Sequence, residues 1–317
     1  MDFYDVIGDI HGQYQLLKKL LTHLGYVPIN GTWKHPERRQ VIFLGDLIDR
    51  GPEPCEVINT VRGMVDGGSA YCIMGNHEYN AIRWTMPDPN CPGEFLRKHT
   101  KKNIKQHQST LKDIKENSKL HKEYIDWFKT LPLWLELGNS RFIHACWDEN
   151  SIRTLRQETN NGLVSDDNFF IKASKKESPV KNAVERICTG IEVPLPPDLE
   201  FLDKDGHPRT NVRIRWWENS EENQKLRDLA LLDDKTLACI PDISIPSEYR
   251  VDYDHRTPLF IGHYWLQPDA PKQPLTPYVA CLDYSAGVGG PLVAYRGDSE
   301  QHVLEGDNFV SVSSNTN

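Results

Sequence analysis

Three short segments concentrate the side chains that can bind metal or move protons: Gly8-Asp9-Ile10-His11-Gly12, Gly45-Asp46-Leu47-Ile48-Asp49-Arg50-Gly51 and Gly75-Asn76-His77-Glu78. They bring together two His, three Asp, an Asn, a Glu and an Arg. Mixed imidazole and oxygen donors suit divalent manganese, iron or zinc, whereas calcium takes oxygen alone. The flanking glycines allow the sharp turns that point such donors inward. Two later histidines, His144 and His263, close the apolar runs Arg141-Phe142-Ile143 and Leu259-Phe260-Ile261-Gly262. Either alone would read as a packed core histidine; at the ends of strands in a sheet that already carries the cluster, both read as ligands. The other eight histidines, His255 among them, read as surface or structural.

The elements that must position these residues follow from the apolar pattern. Phe3 to Ile7, Gln40 to Leu44 and Ala70 to Met74 are short β-branched or aromatic runs that end at Gly8, Gly45 and Gly75, and each precedes a helical stretch. Leu16, Leu17, Leu20, Leu21 and Leu24 make one helical stripe, and Pro54 to Val65 a second helix. Strands alternating with helices mean an α/β sheet, whose strand ends converge on one crevice. The alternation stops between about residues 83 and 132, which reads as an inserted helical cap entered through Pro87, Pro89 and Pro92. A second insertion spans about 151 to 258, with Glu192 to Pro197 extended and Glu200 to Trp217 a hairpin around Lys204-Asp205-Gly206. Late strands are expected at Tyr278 to Asp283, Leu292 to Arg296 and His302 to Leu304. Residues 1–310 form one domain, and 311–317 a polar disordered tail.

Composition narrows the function classes. No apolar run approaches the 18 or so residues needed to span a bilayer. Seven cysteines, odd in number and never in a CxxC pair, argue against a disulfide framework or a structural zinc site. With no basic leader at the N-terminus, a reducing cytoplasm is the expected location. A formal charge of −8 disfavours nucleic acid as partner. The exception is Arg97 to Lys129, with ten Lys or Arg against four acids, which reads as the solvated face of an amphipathic helix.

The three segments match the GDxHG, GDxxDRG and GNHE signatures, and the chain thereby resembles the calcineurin-like metallophosphoesterases of the phosphoprotein phosphatase type. It looks most like their bacterial branch, which holds serine/threonine phosphatases and symmetrical diadenosine tetraphosphatases. The likeness runs through residues 3 to 80 and returns around 141 to 148 and 259 to 296. It implies a four-layer α/β/β/α sandwich. It also implies two divalent ions, manganese first with iron or zinc as alternatives. One would be held by Asp9, His11 and Asp46, the other by Asp46, Asn76, His144 and His263. A hydroxide shared by the two ions would attack phosphorus in line. Arg50, with Asn76, would bind the substrate phosphate, and His77, oriented by Asp49, would protonate the leaving oxygen.

Asp49 and Arg50 could instead pair with each other, and Glu78 reads as an acid complementing a helix macrodipole. The chain departs from the family at His144-Ala145-Cys146-Trp147, where relatives have His-Gly-Gly, and at Gly262-His263-Tyr264-Trp265, where they have Gly-His-Thr. Trp147, Tyr264 and Trp265 could stack on a substrate ring, and Cys146 reads as a packed small residue. Arg213 and Arg215 are candidates for a second phosphate-binding arginine. The leading expectation is a phosphoserine/phosphothreonine protein phosphatase; the alternative is a hydrolase of diadenosine tetraphosphate or another nucleotide. A nucleic-acid phosphatase and a non-catalytic binding module follow behind, the latter because all proposed ligands and Asp49, Arg50 and His77 are present.

Overall fold

The computed structural model describes residues 3–164, 166–197, 199–202, 208–218 and 224–314. Its first half runs β1 (Phe3–Ile7), α1 (Tyr14–His23), β2 (Val27–Ile29), β3 (Thr32–Lys34), β4 (Gln40–Phe43), α2 (Pro54–Asp66), β5 (Ala70–Cys72) and α3 (Asn76–Thr85). Two cap helices follow, α4 (Lys101–Asp113) and α5 (Lys119–Phe128), so the basic stretch forms two helices rather than one. Then come β6 (Trp134–Leu137), β7 (Ser140–Ile143), α6 (Glu149–Arg156), α7 (Asn168–Lys172) and α8 (Pro179–Thr189). The second insertion continues with β8 (Glu192–Pro194), β9 (Phe201–Leu202), β10 (Pro208–Arg209), β11 (Asn211–Arg213), α9 (Leu226–Leu229) and α10 (Asp234–Leu237). The chain closes with β12 (Leu259–Ile261), β13 (Val279–Cys281), β14 (Leu292–Asp298) and β15 (Phe309–Val312).

Two mixed sheets organise these elements. One has the order β15-β14-β1-β4-β5, with β1, β4 and β5 parallel and β14 antiparallel to β1; the other has the order β13-β12-β7-β6. Alternation along β1 sends Tyr4 and Val6 toward the second sheet and Ile7 toward the helices, as a period of two requires. The inter-sheet core is aromatic: Tyr4 meets Phe142 edge-on at 5.6 Å between centroids and Phe260 at 6.0 Å, and Phe260 meets Tyr295 at 5.0 Å. The outer face of the first sheet takes the leucine stripe of α1 and the Val57, Ile58 and Val61 face of α2, all buried. Helices α6 and α8 bring Ile152, Leu155, Val184 and Ile187 into the same apolar cluster as Ile143 and Ile261 of the second sheet. The result is the expected α/β/β/α sandwich.

Three expectations change. His302 to Leu304 is not a strand; Leu304 is buried by packing, and its N–H donates to Pro277 O at 2.9 Å. Ser311 and Val312 belong to β15, paired with Val293 and Leu292, so the tail cannot begin at residue 311. In the second insertion β9 pairs with β10 while β11 pairs back to β8, and the expected turn at 204–206 lies outside the described residues. No helix among the described residues is long and apolar enough to cross a membrane.

Candidate active site

The loops leaving β1, β4 and β5, together with those leaving β7 and β12, meet at one edge of the sandwich. His11, Asp46, Asp49, Arg50 and His263 all have φ between 47° and 71°, a region that L-residues seldom occupy. Strain of this kind persists where surrounding structure enforces it, and here it sets the path of the loops that carry five predicted site residues. Two glycines are required by close approach. A β-carbon on Gly262 would strike Asp9 Oδ1, and one on Gly75 would strike Asp46 Oδ1.

Asp46 sits at the centre. Its carboxylate lies 3.6 Å from His11 Nε2, 3.8 Å from His77 Nε2 and 3.4 Å from His144 Nε2. Its Oδ1 also accepts the His77 backbone N–H at 2.9 Å. Asn76 Oδ1 lies 3.1 Å from His144 Nε2 and 2.7 Å from His263 Nδ1. Two buried triads, His11-Asp46-His77 and Asp46-His144-His263, therefore share one carboxylate and have ligand atoms spaced for a cation. Asp9 Oδ2 accepts the His263 N–H at 3.0 Å. His11 Nδ1 donates to Ile48 O at 2.9 Å and His144 Nδ1 to Leu44 O at 2.7 Å, which fixes the tautomer of each ring.

Divalent ions, implied by the family, can be tested against these atoms. Asp9 Oδ1, His11 Nε2 and His263 Nε2 are buried without a hydrogen-bond partner in the structure. Buried polar atoms are nearly always satisfied, so three orphans facing one cluster fit cation binding. The electrostatics agree. Burial lowers His11 to about 3, with His77 adding to the effect, and burial followed by Arg213 lowers His263, so both imidazoles are neutral. Burial works against ionisation of Asp46, but His144, His77 and His11 outweigh it and hold the carboxyl well below its usual range. For His144, burial is outweighed by Asp46, and its pKa rises to about 10; a cation entering between them would displace that proton.

The Asp49 carboxylate lies across the His77 ring from Asp46. Its Oδ2 accepts from His77 Nδ1 at 2.5 Å, while its Oδ1 accepts from His107 Nδ1 at 2.7 Å and Thr110 Oγ1 at 2.6 Å. Burial disfavours a charged His77, yet Asp46 and Asp49 outweigh it and raise its pKa, which favours the protonated ring. Asp49 is thus paired with histidines and not with Arg50. Arg50 lies instead over the Trp265 ring, 3.8 Å from the centroid, exposed beside the cluster.

Of the predicted aromatic stackers, Trp147 and Tyr264 belong to the core, and Tyr264 Oη accepts from Trp216 Nε1 at 2.8 Å. Only Trp265 of the three is partly exposed. Arg215 is tied to the Asp228 and Ala230 carbonyls and to Glu218, a structural role. Arg213 reaches toward the site: its guanidinium lies 5.9 Å from the Tyr264 ring centroid, and its charge is felt by His263.

Sequence reasoning missed His107, Thr110 and Asp283. The last accepts the N–H groups of Trp265 and Ser285 at 2.8 and 2.9 Å, and an Asp just beyond an apolar strand was its available signal. Glu78 does more than complement a helix dipole. It is fully buried and accepts the backbone N–H groups of Asp46, Leu47 and Gly75 at 2.8, 2.8 and 3.0 Å, pinning two site loops together. Glu78→Ala would leave three buried donors unpaired, each costing about 1–3 kcal/mol. Urea denaturation should therefore show a loss of at least ~3 kcal/mol, with a smaller loss for Glu78→Gln; a change within error would contradict the pinning role.

The two-sheet fold and this His/Asp/Asn cluster define a metallophosphoesterase. The chain belongs to the calcineurin-like phosphoesterase family, whose profile matches residues 4–229. It is similar to a protein of Oceanobacillus iheyensis called bis(5'-nucleosyl)-tetraphosphatase PrpE [asymmetrical], 36% identical over 141 residues, which is 44% of this chain and 54% of the relative. The protein of that name from Bacillus subtilis is 33% identical over 147 residues, 45% of this chain and 56% of the relative. The chain spans about half the length of the curated relatives it matches. A serine/threonine phosphatase structure from Saccharomyces cerevisiae aligns over 100% of this chain and 81% of its own, at TM-score 0.47 and 14% identity.

Proposed function

We propose that this phosphoesterase hydrolyses phosphoanhydride bonds of dinucleoside polyphosphates, with diadenosine tetraphosphate as the reference substrate. The observation that carries this reading is the sequence similarity to the nucleosyl-tetraphosphatases, 36% identity over 141 residues with the Oceanobacillus iheyensis protein. That similarity favours the nucleotide alternative over the phosphoprotein expectation. The relatives' names also specify asymmetrical cleavage, where the sequence motifs suggested the symmetrical enzymes.

In this reading Asp9, His11 and Asp46 hold one divalent ion and Asp46, Asn76, His144 and His263 the other, with manganese the first candidate. The orphaned atoms of Asp9, His11 and His263 support the assignment. When bound, such ions supply Lewis acidity and a water acidic enough to ionise near neutral pH. The chain's own residues do the rest. Arg50, held flat against Trp265, presents its planar fork to the phosphate oxygens. The charged ring of His77, favoured by Asp46 and Asp49, donates its Nδ1–H to Asp49 and carries its second proton on Nε2. It passes that proton to the leaving oxygen as the P–O bond breaks and the bond from water to phosphorus forms. Arg213, paired with Glu192 at 3.1 Å, places positive charge felt at His263 and is the candidate for a second phosphate contact.

The manganese-loaded protein should be given diadenosine tetraphosphate, a phosphoserine peptide and p-nitrophenyl phosphate in parallel. The expected result is a kcat/KM for the dinucleotide at least about tenfold above that for the peptide, a gap of about 1.4 kcal/mol in transition-state binding, with ATP and AMP as products. A preference for the peptide would return the account to a protein phosphatase.

A further inference from the structure

The cap helix α4 sends two side chains into the site from one face. His107 and Thr110 are three residues apart, so they stack on the same side of the helix, and both end on Asp49 Oδ1. Thr110 Oγ1 also accepts the Asp49 backbone N–H at 3.0 Å, which ties down main chain and side chain together. Both residues are almost fully buried. Asp113, one turn further, accepts the Cys55 N–H at 2.7 Å and fastens α4 to the start of α2. His107 is supported from behind by an aromatic column: its ring lies 5.4 Å from Trp84, Trp84 stacks on His99 at 3.6 Å, and His99 stacks on Phe95 at 4.4 Å.

We propose that His107 is a positioning residue of the active site, which clamps the outer oxygen of Asp49 so that the inner oxygen holds His77 in line with the leaving group. A carboxylate with one donor can rotate about χ2. With His107 and Thr110 on one oxygen and His77 on the other, the plane of Asp49 is fixed. The same donors stabilise its charged form: burial alone would raise the carboxyl pKa, and the hydrogen bonds from His107 and then His77 reverse that. Helix α4 is therefore part of the catalytic apparatus through its hold on Asp49. The inference rests on His77 acting as the general acid and is independent of which phosphate compound is the natural substrate.

The test compares hydrolysis of phenyl phosphate, whose leaving group needs protonation, with p-nitrophenyl phosphate, whose leaving group does not. His107→Phe keeps the ring and removes the donor. It should slow phenyl phosphate about 10–100-fold through kcat, slow p-nitrophenyl phosphate far less, and leave KM and metal content unchanged. His107→Asn, whose amide can donate from near the Nδ1 position, should restore most of the rate, and Thr110→Val should reproduce the pattern more weakly. In the zinc-loaded protein, the downfield Nδ1–H proton resonance that His77→Asn abolishes should shift in His107→Phe and return in His107→Asn. That readout serves if wild type cleaves neither aryl phosphate or if one variant fails to fold. Equal slowing of both substrates, or an unmoved resonance, would overturn the proposal. If His77→Asn itself showed no leaving-group dependence, the fault would lie in the role given to His77.

Discussion

Asp46→Asn is expected to lower kcat by at least about three orders of magnitude, because losing several kcal/mol of stabilisation by a metal site raises the barrier by that amount and each ~1.4 kcal/mol is a factor of ten in rate. Among the described residues no other side chain belongs to both triads. Asn would keep an oxygen to accept the His77 N–H that Oδ1 now accepts, so the loop should hold its path while the shared negative charge disappears. The charge is what matters. His144, His77 and His11 all hold Asp46 ionised despite its burial, and a neutral amide would leave the cluster with no anion at its centre. Metal analysis of the purified variant should show fewer than two ions per chain, while circular dichroism stays that of wild type. A variant that kept two ions and more than about a tenth of the wild-type rate, a cost of only ~1.4 kcal/mol, would show that Asp46 is not the bridge.

The second large effect belongs to His77. Its Nδ1 is committed to Asp49 at 2.5 Å, and its raised pKa keeps a proton on the ring where Nε2 faces the cluster. A positioned general acid contributes roughly 10²–10⁴-fold, so His77→Asn should lose about that much on substrates with poor leaving groups and much less on good ones. Its metal content should match wild type, which separates it from Asp46→Asn. Because His77 also falls within a triad with His11 and Asp46, a loss of one ion in His77→Asn would move it from acid to ligand.

The parts of the molecule legible in the sequence are those where a local pattern and the tertiary environment agree. The strands β1, β4 and β12 are short apolar runs buried on both faces and ended by glycine, so pattern alone places them, and the ligands follow at their ends. The hairpin of β2 and β3 carried a signal that went unread. Asn30 and Gly31 both have positive φ, as a two-residue turn requires. Leu304 misled for the opposite reason: it is buried without being paired in a sheet, and burial imitates a strand in a short window. In the site, His107 lies mid-helix among lysines, and nothing local distinguishes it from a solvated residue until α4 packs over Asp49. Glu78 was visible as a helix-start acid, but its hold on the loop after β4 is a contact across 31 or 32 residues, which no spacing rule foretells.

Two cations are expected on either side of Asp46, and anomalous diffraction from manganese-loaded crystals would locate them. The expected result is two anomalous peaks, one among Asp9, His11 and Asp46 and one among Asp46, Asn76, His144 and His263. A single peak, or peaks that leave Asp46 outside the coordination of either ion, would contradict it.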